Sequence, residues 1–156
     1  MDVTADGQVV MYSYMDRKLF MYREDGSEHP CPIISIVFQA ICQLQNNRMA
    51  VCHGDDISVF DKRGYLVMSL KYQNKLVDLS DLCTDNEINL FMSDYEERSV
   101  KLYDEEGKFL RKVMDVNFRP YQLCYRPRTL AVFGITDPEK EDYVLNVYRV
   151  NSRLEC

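Results

Sequence analysis

The chain has 156 residues, 46% of them hydrophobic and 28% charged, with a formal net charge of −6 and an isoelectric point near 4.9. That apolar share supports one sizeable core and excludes a disordered tail, while the net acidity argues against a surface built to neutralise phosphate. Met1-Asp2-Val3-Thr4-Ala5-Asp6 has neither the basic start nor the apolar run of a secretory signal, and no apolar stretch approaches membrane-spanning length, so a cytoplasmic protein is expected.

In chain order, short sheet-forming segments fall into four similar units. The first contains Leu19-Phe20-Met21-Tyr22 and the turn Arg23-Glu24-Asp25-Gly26. The second contains Met49-Ala50-Val51-Cys52, Ile57-Ser58-Val59-Phe60 and the turn Asp61-Lys62-Arg63-Gly64. The third predicts four strands: Leu79 to Thr84, Ile88 to Ser93, Ser99 to Tyr103, and Phe109 to Met114 after Gly107. The fourth carries Ala131-Val132-Phe133-Gly134 and Leu145-Asn146-Val147-Tyr148. Cys42, Cys83 and Cys124 stand 41 residues apart in two successive steps, and the turn glycines Gly26, Gly64 and Gly107 are 38 and 43 apart. A period near 40 in strand-forming sequence is that of propeller blades, and no segment holds a helical apolar stripe. The expected fold is all-β, a partial β-propeller of about four four-stranded antiparallel blades, with one region over 1–156 and blades near 1–35, 36–76, 77–117 and 118–156. The second strand of each blade is apolar on both faces and must be covered on both, which radial stacking of sheets provides. Phe60 and Tyr103 are expected at equivalent buried positions.

Ile57-Ser58-Val59-Phe60-Asp61-x-x-Gly64, Val100-Lys101-Leu102-Tyr103-Asp104-x-x-Gly107-x-Phe109, Phe91-Met92-Ser93-Asp94 and Phe118-x-Pro120-x-x-Leu123-Cys124 resemble NHL repeats. The resemblance implies a propeller of the kind found at the C-terminal, target-recognition end of tripartite-motif ubiquitin ligases. The family's Asp-to-Arg pairing is altered, since Asp94 is present while Ser99 occupies the arginine position and Arg98 lies one residue early. No RING or B-box spacing occurs in the chain. Propellers of this family commonly close with six blades, so a longer propeller, or an arc completed by additional blades or by a second copy, is expected.

Residues for chemistry are sparse. Of two histidines, His29 precedes a proline and His53-Gly54-Asp55-Asp56 reads as a turn; no Cys-x-x-Cys pair and no nucleophile-elbow sequence occurs. The expectation is no enzyme, no metal and no cofactor, with Cys42, Cys83 and Cys124 reduced and packed inward as small apolar side chains.

The segment from Val116 to Thr136 holds three arginines and no acid. Arg119, Tyr121, Tyr125, Arg126 and Arg128, with Tyr72 and Lys75 from the preceding blade, are therefore the candidate partner-binding residues, because Arg and Tyr bury large area while keeping a polar tip satisfied. Along the strand, Arg119, Tyr121 and Arg126 are expected to project while Leu123 and Cys124 point inward. The function expected is a non-catalytic protein-interaction module with an acidic partner. The alternative is RNA binding, which requires these cations, with Lys71, to converge on one face beside Tyr72 and Tyr121.

Overall fold

The computed structural model describes residues 2–3, 9–13, 18–29, 39–44, 48–53, 56–61, 63–71, 79–85, 89–104 and 108–150. These contain strands and no helix. The first sheet comprises β1 (Asp2–Val3), β2 (Val9–Ser13), β3 (Lys18–Tyr22) and β4 (Glu28–His29); the second comprises β5 (Ala40–Gln43), β6 (Met49–His53), β7 (Asp56–Phe60) and β8 (Leu66–Lys71). The third contains β9 (Leu79–Thr84), β10 (Leu90–Asp94), β11 (Ser99–Tyr103) and β12 (Phe109–Asp115). The fourth contains β13 (Arg119–Arg126), β14 (Thr129–Asp137) and β15 (Asp142–Arg149). Each sheet is an antiparallel meander in chain order, as the repeat predicts. The outermost strand expected after Tyr148 would fall largely in 151–156, outside the described residues.

Equivalent positions share a register. Val9 pairs with Tyr22, Met49 with Phe60, Leu90 with Tyr103 and Leu130 with Tyr148. Phe60 and Tyr103 are both buried, as their place at the end of the third strand requires. The acidic turns beyond them cap their own amides: Asp61 Oδ1 accepts from the Arg63 and Tyr65 backbone N–H groups at 2.8 and 2.9 Å, and Asp104 Oδ1 from that of Lys108 at 2.8 Å. Gly64, at φ 80°, supplies the left-handed residue that the Asp61 turn needs.

Sheets stack face to face, with first strands adjacent: β5 lies against β9 and β9 against β13. Between the second and third sheets, Cys42, Ala50, Cys52, Ile57 and Val59 meet Leu82, Leu90, Met92 and Tyr103. Between the third and fourth, Phe91, Val100 and Leu102 meet Leu123, Tyr125, Leu130 and Val132, with Cys83 packed against them. Polar contacts also cross this second interface. Ser80 Oγ donates to the Pro120 carbonyl at 2.6 Å, and the Leu123 N–H donates to Asp81 Oδ2 at 2.7 Å. β6 and β10 are buried on both faces, whereas β14 is buried on one and half-buried on the other.

The cysteines depart from the expectation of a shared inward position. Cys42 is buried and Cys83 half-buried, but Cys124 is exposed and carries a free thiol. All three occupy the same face of a first strand; a following sheet covers that face in the second and third sheets, and none does so in the fourth among the described residues.

Candidate interaction surface

Strand β13 enters its sheet through a β-bulge. Pro120 pairs with Gly134 and Gln122 with Phe133, leaving Tyr121 as the extra residue. The bulge breaks the alternation, so Tyr121 and Gln122 are exposed in succession before Leu123 turns inward. Gly134 makes this approach feasible: a Cβ there would overlap the Arg119 carbonyl oxygen and lie 2.5 Å from Phe118 Cδ2.

The bulge brings Tyr121 against Tyr95, the first residue of the β10–β11 turn, with ring centroids 5.2 Å apart at 60°. The Arg119 guanidinium carbon lies 5.1 Å from the Tyr95 ring centre, and Nη1 is 3.5 Å from the Tyr95 hydroxyl. Hydrogen bonding with Tyr95 is the main cause that pushes the Tyr121 phenol above its ordinary pKa, and likewise the Arg119 guanidinium. Beside them, Tyr143 of β15 stacks on Phe133 of β14 at 5.7 Å and 6°. The result is an aromatic platform at one rim of the sheets, carrying one guanidinium.

The turn that presents Tyr95 is held by a buried charge. Asp94 is fully buried; its carboxylate accepts from Lys101 Nζ at 2.9 Å and from the Glu97 backbone N–H at 2.9 Å. Lys101 also meets Glu97 at 2.7 Å. Burial pulls the Lys101 pKa down, but the hydrogen bonds it donates to Glu97 and Asp94 outweigh it and hold the ammonium above the ordinary lysine value. Lys101, paired with Met92 rather than with Asp94 itself, is thus the cation that meets the Asp94 carboxylate, and Ser99 is not a cation. Arg98 instead takes a left-handed turn conformation at φ 50°.

Of the residues singled out in sequence, Arg119 and Tyr121 come together and the others do not. Tyr125 is buried; its ring stacks on Phe91 at 5.4 Å and 16°, and its hydroxyl accepts from the Arg128 N–H at 3.4 Å, so it packs one sheet on the next instead of facing a partner. Arg126, at the far end of β13, and Arg128, in the turn beyond it, are exposed, and Arg126 lies about 23 Å from Arg119 at ~3.3 Å per residue. The three arginines therefore form no single patch, and the convergence that RNA binding requires is missing among them. Tyr72 and Lys75 lie outside the described residues, as does the side chain of Lys71. Tyr95 was legible only as a tyrosine beside the acidic Glu96-Glu97 turn. The positive excess of the acid-free segment is also offset in space, because Glu96 acts on Arg119 and the β14–β15 turn brings Glu139, Glu141 and Asp142 to the same rim. Among the described residues no group of three His, Cys, Asp or Glu side chains could hold a metal ion.

No protein-family model matches the sequence, and no curated protein does. Solved structures share its fold at low identity. A virginiamycin B lyase from Staphylococcus aureus, solved with quinupristin, superposes with a TM-score of 0.68 at 10% identity over 96% of this chain and 50% of that one. BamB from Moraxella catarrhalis gives 0.66 at 13% identity over 92% and 40%, and a nidogen/laminin complex 0.73 at 12% over 92% and 58%. The chain spans about half the length of these neighbours, all of them β-propeller proteins. The chain is an all-β protein whose stacked sheets form part of a β-propeller.

Proposed function

We propose that this chain is a protein-interaction module without a catalytic step of its own, which recognises a target segment through the platform of Tyr95, Arg119 and Tyr121. One observation carries the reading: a guanidinium rests on an aromatic ring beside a second, partly exposed ring, on a rim held rigid by the buried Asp94–Lys101 pair. Arg and Tyr in such settings dominate interface energetics. Rigid sheets that present loops and rims suit recognition. The likeness to BamB and to nidogen in its laminin complex is in keeping with a binding scaffold, although the lyase shares the fold too. The acidic turns beside the platform favour a target with an apolar or aromatic side chain and a flanking basic residue over the acidic partner expected from sequence.

In its finer form the proposal makes the chain the target-recognition part of a tripartite-motif-like ubiquitin ligase in the cytoplasm, on the strength of the NHL-like spacing. A parent chain bearing RING and B-box zinc ligands is its first requirement. The platform itself is tested by selecting peptides from a library on the immobilised chain and measuring affinities by fluorescence anisotropy. Tyr95→Ser and Arg119→Ala are expected to weaken the selected peptides about tenfold or more, which is ~1.4 kcal/mol, while Arg126→Glu leaves them unchanged. Peptides that bind all three variants as tightly as the parent refute the site.

A further inference from the structure

The aliphatic–x–aliphatic–aromatic motif of β7, β11 and β15 places two aliphatic side chains on the face that the following sheet covers. Ile57 and Val59 are both 0% exposed, and Val100 and Leu102 are 0% and 3% exposed. At the same motif positions in the fourth sheet, Leu145 and Val147 are 64% and 66% exposed. Around them the same face carries Cys124, paired with Ala131, which is paired in turn with Val147; Phe133, paired with Leu145; and Tyr143. The residue types are those of a sheet-to-sheet interface, and among the described residues no sheet covers them. A face of this kind, continuous across three strands, is a docking surface.

The first sheet presents the complementary half. Its Val9, Met11 and Tyr22 occupy the register positions of Met49, Val51 and Phe60 in the second sheet and of Leu90, Met92 and Tyr103 in the third. Those six side chains are buried, and in the third sheet they meet the Ile57–Val59 face of the sheet before. In the first sheet Met11 is 40% exposed, and Val9, Phe20 and Tyr22 are half-buried. One end of the arc therefore exposes the face that delivers the motif, and the other end exposes the face that receives it.

We infer that the outer face of the fourth sheet docks the first sheet of a second copy of this chain, so that two arcs close head to tail into one ring. The inference is independent of the recognition residues Tyr95, Arg119 and Tyr121, which lie outside both faces; only the neighbouring Phe133–Tyr143 stack is shared. The length relation supports a second copy as the occupant: the chain covers half of the virginiamycin B lyase, so one more copy supplies about the remainder. A head-to-tail contact between two identical arcs gives two identical interfaces, and the ring closes with no free end when each arc spans half a turn.

Sedimentation of the full chain tests it. The expected species is twice 18.4 kDa. Leu145→Glu with Val147→Glu at one end, or Met11→Glu at the other, is expected to weaken dimerisation about 100-fold, since each places charge in a desolvated contact. All three sites are exposed in the single chain, so folding, checked by circular dichroism, is unaffected. Mixing the two variants is expected to restore a dimer through the one interface left intact, a result that pairing of two fourth sheets with each other cannot produce. Alkylation of Cys124 is expected to slow in the dimer. A chain that stays monomeric up to roughly 100 μM with Cys124 fully reactive overturns the inference and leaves the face to further blades of a longer chain. A dimer indifferent to Met11→Glu overturns it as well.

Discussion

Gly134→Ala probes the joint between fold and platform. The added Cβ would overlap the Arg119 carbonyl oxygen and sit 2.5 and 2.9 Å from Phe118 Cδ2 and Cε2. Neither neighbour yields cheaply, because one is backbone in a paired strand and the other is a ring that is 1% exposed. Relief requires β13 to retreat on the order of 1 Å to reach ordinary carbon–oxygen contact. That retreat strains the Pro120–Gly134 pairing at about 1 kcal/mol per hydrogen bond and displaces Phe118 at an overpacking cost of about 1–3 kcal/mol. Removing a strand glycine returns about 0.5–1 kcal/mol of backbone entropy, so the expected net loss is roughly 2–3 kcal/mol. In a domain of this size it lowers Tm by roughly 5–10 °C. Urea titration followed by circular dichroism and tyrosine fluorescence measures it, the latter unobscured because the chain has no tryptophan. Arg119 moves with β13, so peptide affinity at the platform is expected to fall as well. A midpoint within about 0.5 kcal/mol of the parent refutes the close approach of β13 to β14.

Lys101→Met is expected to cost about 3–5 kcal/mol, because it strands the buried Asp94 carboxylate with only the Glu97 N–H, whereas Glu97→Gln, at a partner about half exposed, is expected to stay within about 1 kcal/mol by the same urea assay. The Lys101 pKa is raised in the folded state, so its contribution is fully present below the ordinary lysine value of about 10.4 and is lost as pH rises through the folded value. The stability gap between parent and Lys101→Met is therefore expected to narrow above that pH, and a gap that is constant from pH 9 to 11 contradicts the pairing. Phe60→Ala and Tyr103→Ala are each expected to cost about 3–5 kcal/mol as deletions of buried aromatics; an unchanged Tm for both refutes their equivalence.

The repeat was readable because strand-forming motifs recur at positions that hydrogen-bonded register then enforces. Leu79 to Thr84 and Ser99 to Tyr103 were bounded correctly from sequence, since turn residues close them. The platform was only half readable. Alternation along β13 assigns faces only while the pairing is unbroken, and the bulge at Tyr121 shifts the phase by one, so Arg119 and Arg126 could not be placed relative to each other by counting. Tyr95 joined the site through a contact between residues 24 apart, a separation that composition cannot see. The Asp94 partner was missed for a related reason: Lys101 has the reach to meet a carboxylate two pairs along the hairpin, and a rule that names a single position overlooks a longer side chain on the same strand.

Cys124 marks a different kind of limit. Its environment in sequence matches that of Cys42 and Cys83 closely, and the strand that carries it is regular at that point, yet it is exposed where Cys42 is buried and Cys83 half-buried. Burial in a stacked-sheet architecture belongs to the pair of sheets, not to either one, so a residue pattern can state that a face is made to be covered without stating what covers it. Leu145 and Val147 follow the same logic more strongly, because two aliphatic side chains left largely in water forgo about 1.5–3 kcal/mol each relative to full burial. A face with that much unrealised burial gains from a matching sheet wherever one is supplied. The receiving face at Val9, Met11 and Tyr22 has the same character, and the two faces of one chain are directed to opposite ends of the arc. The energetic incentive for closure is therefore written into both terminal sheets, and a second arc of the same kind satisfies both at once.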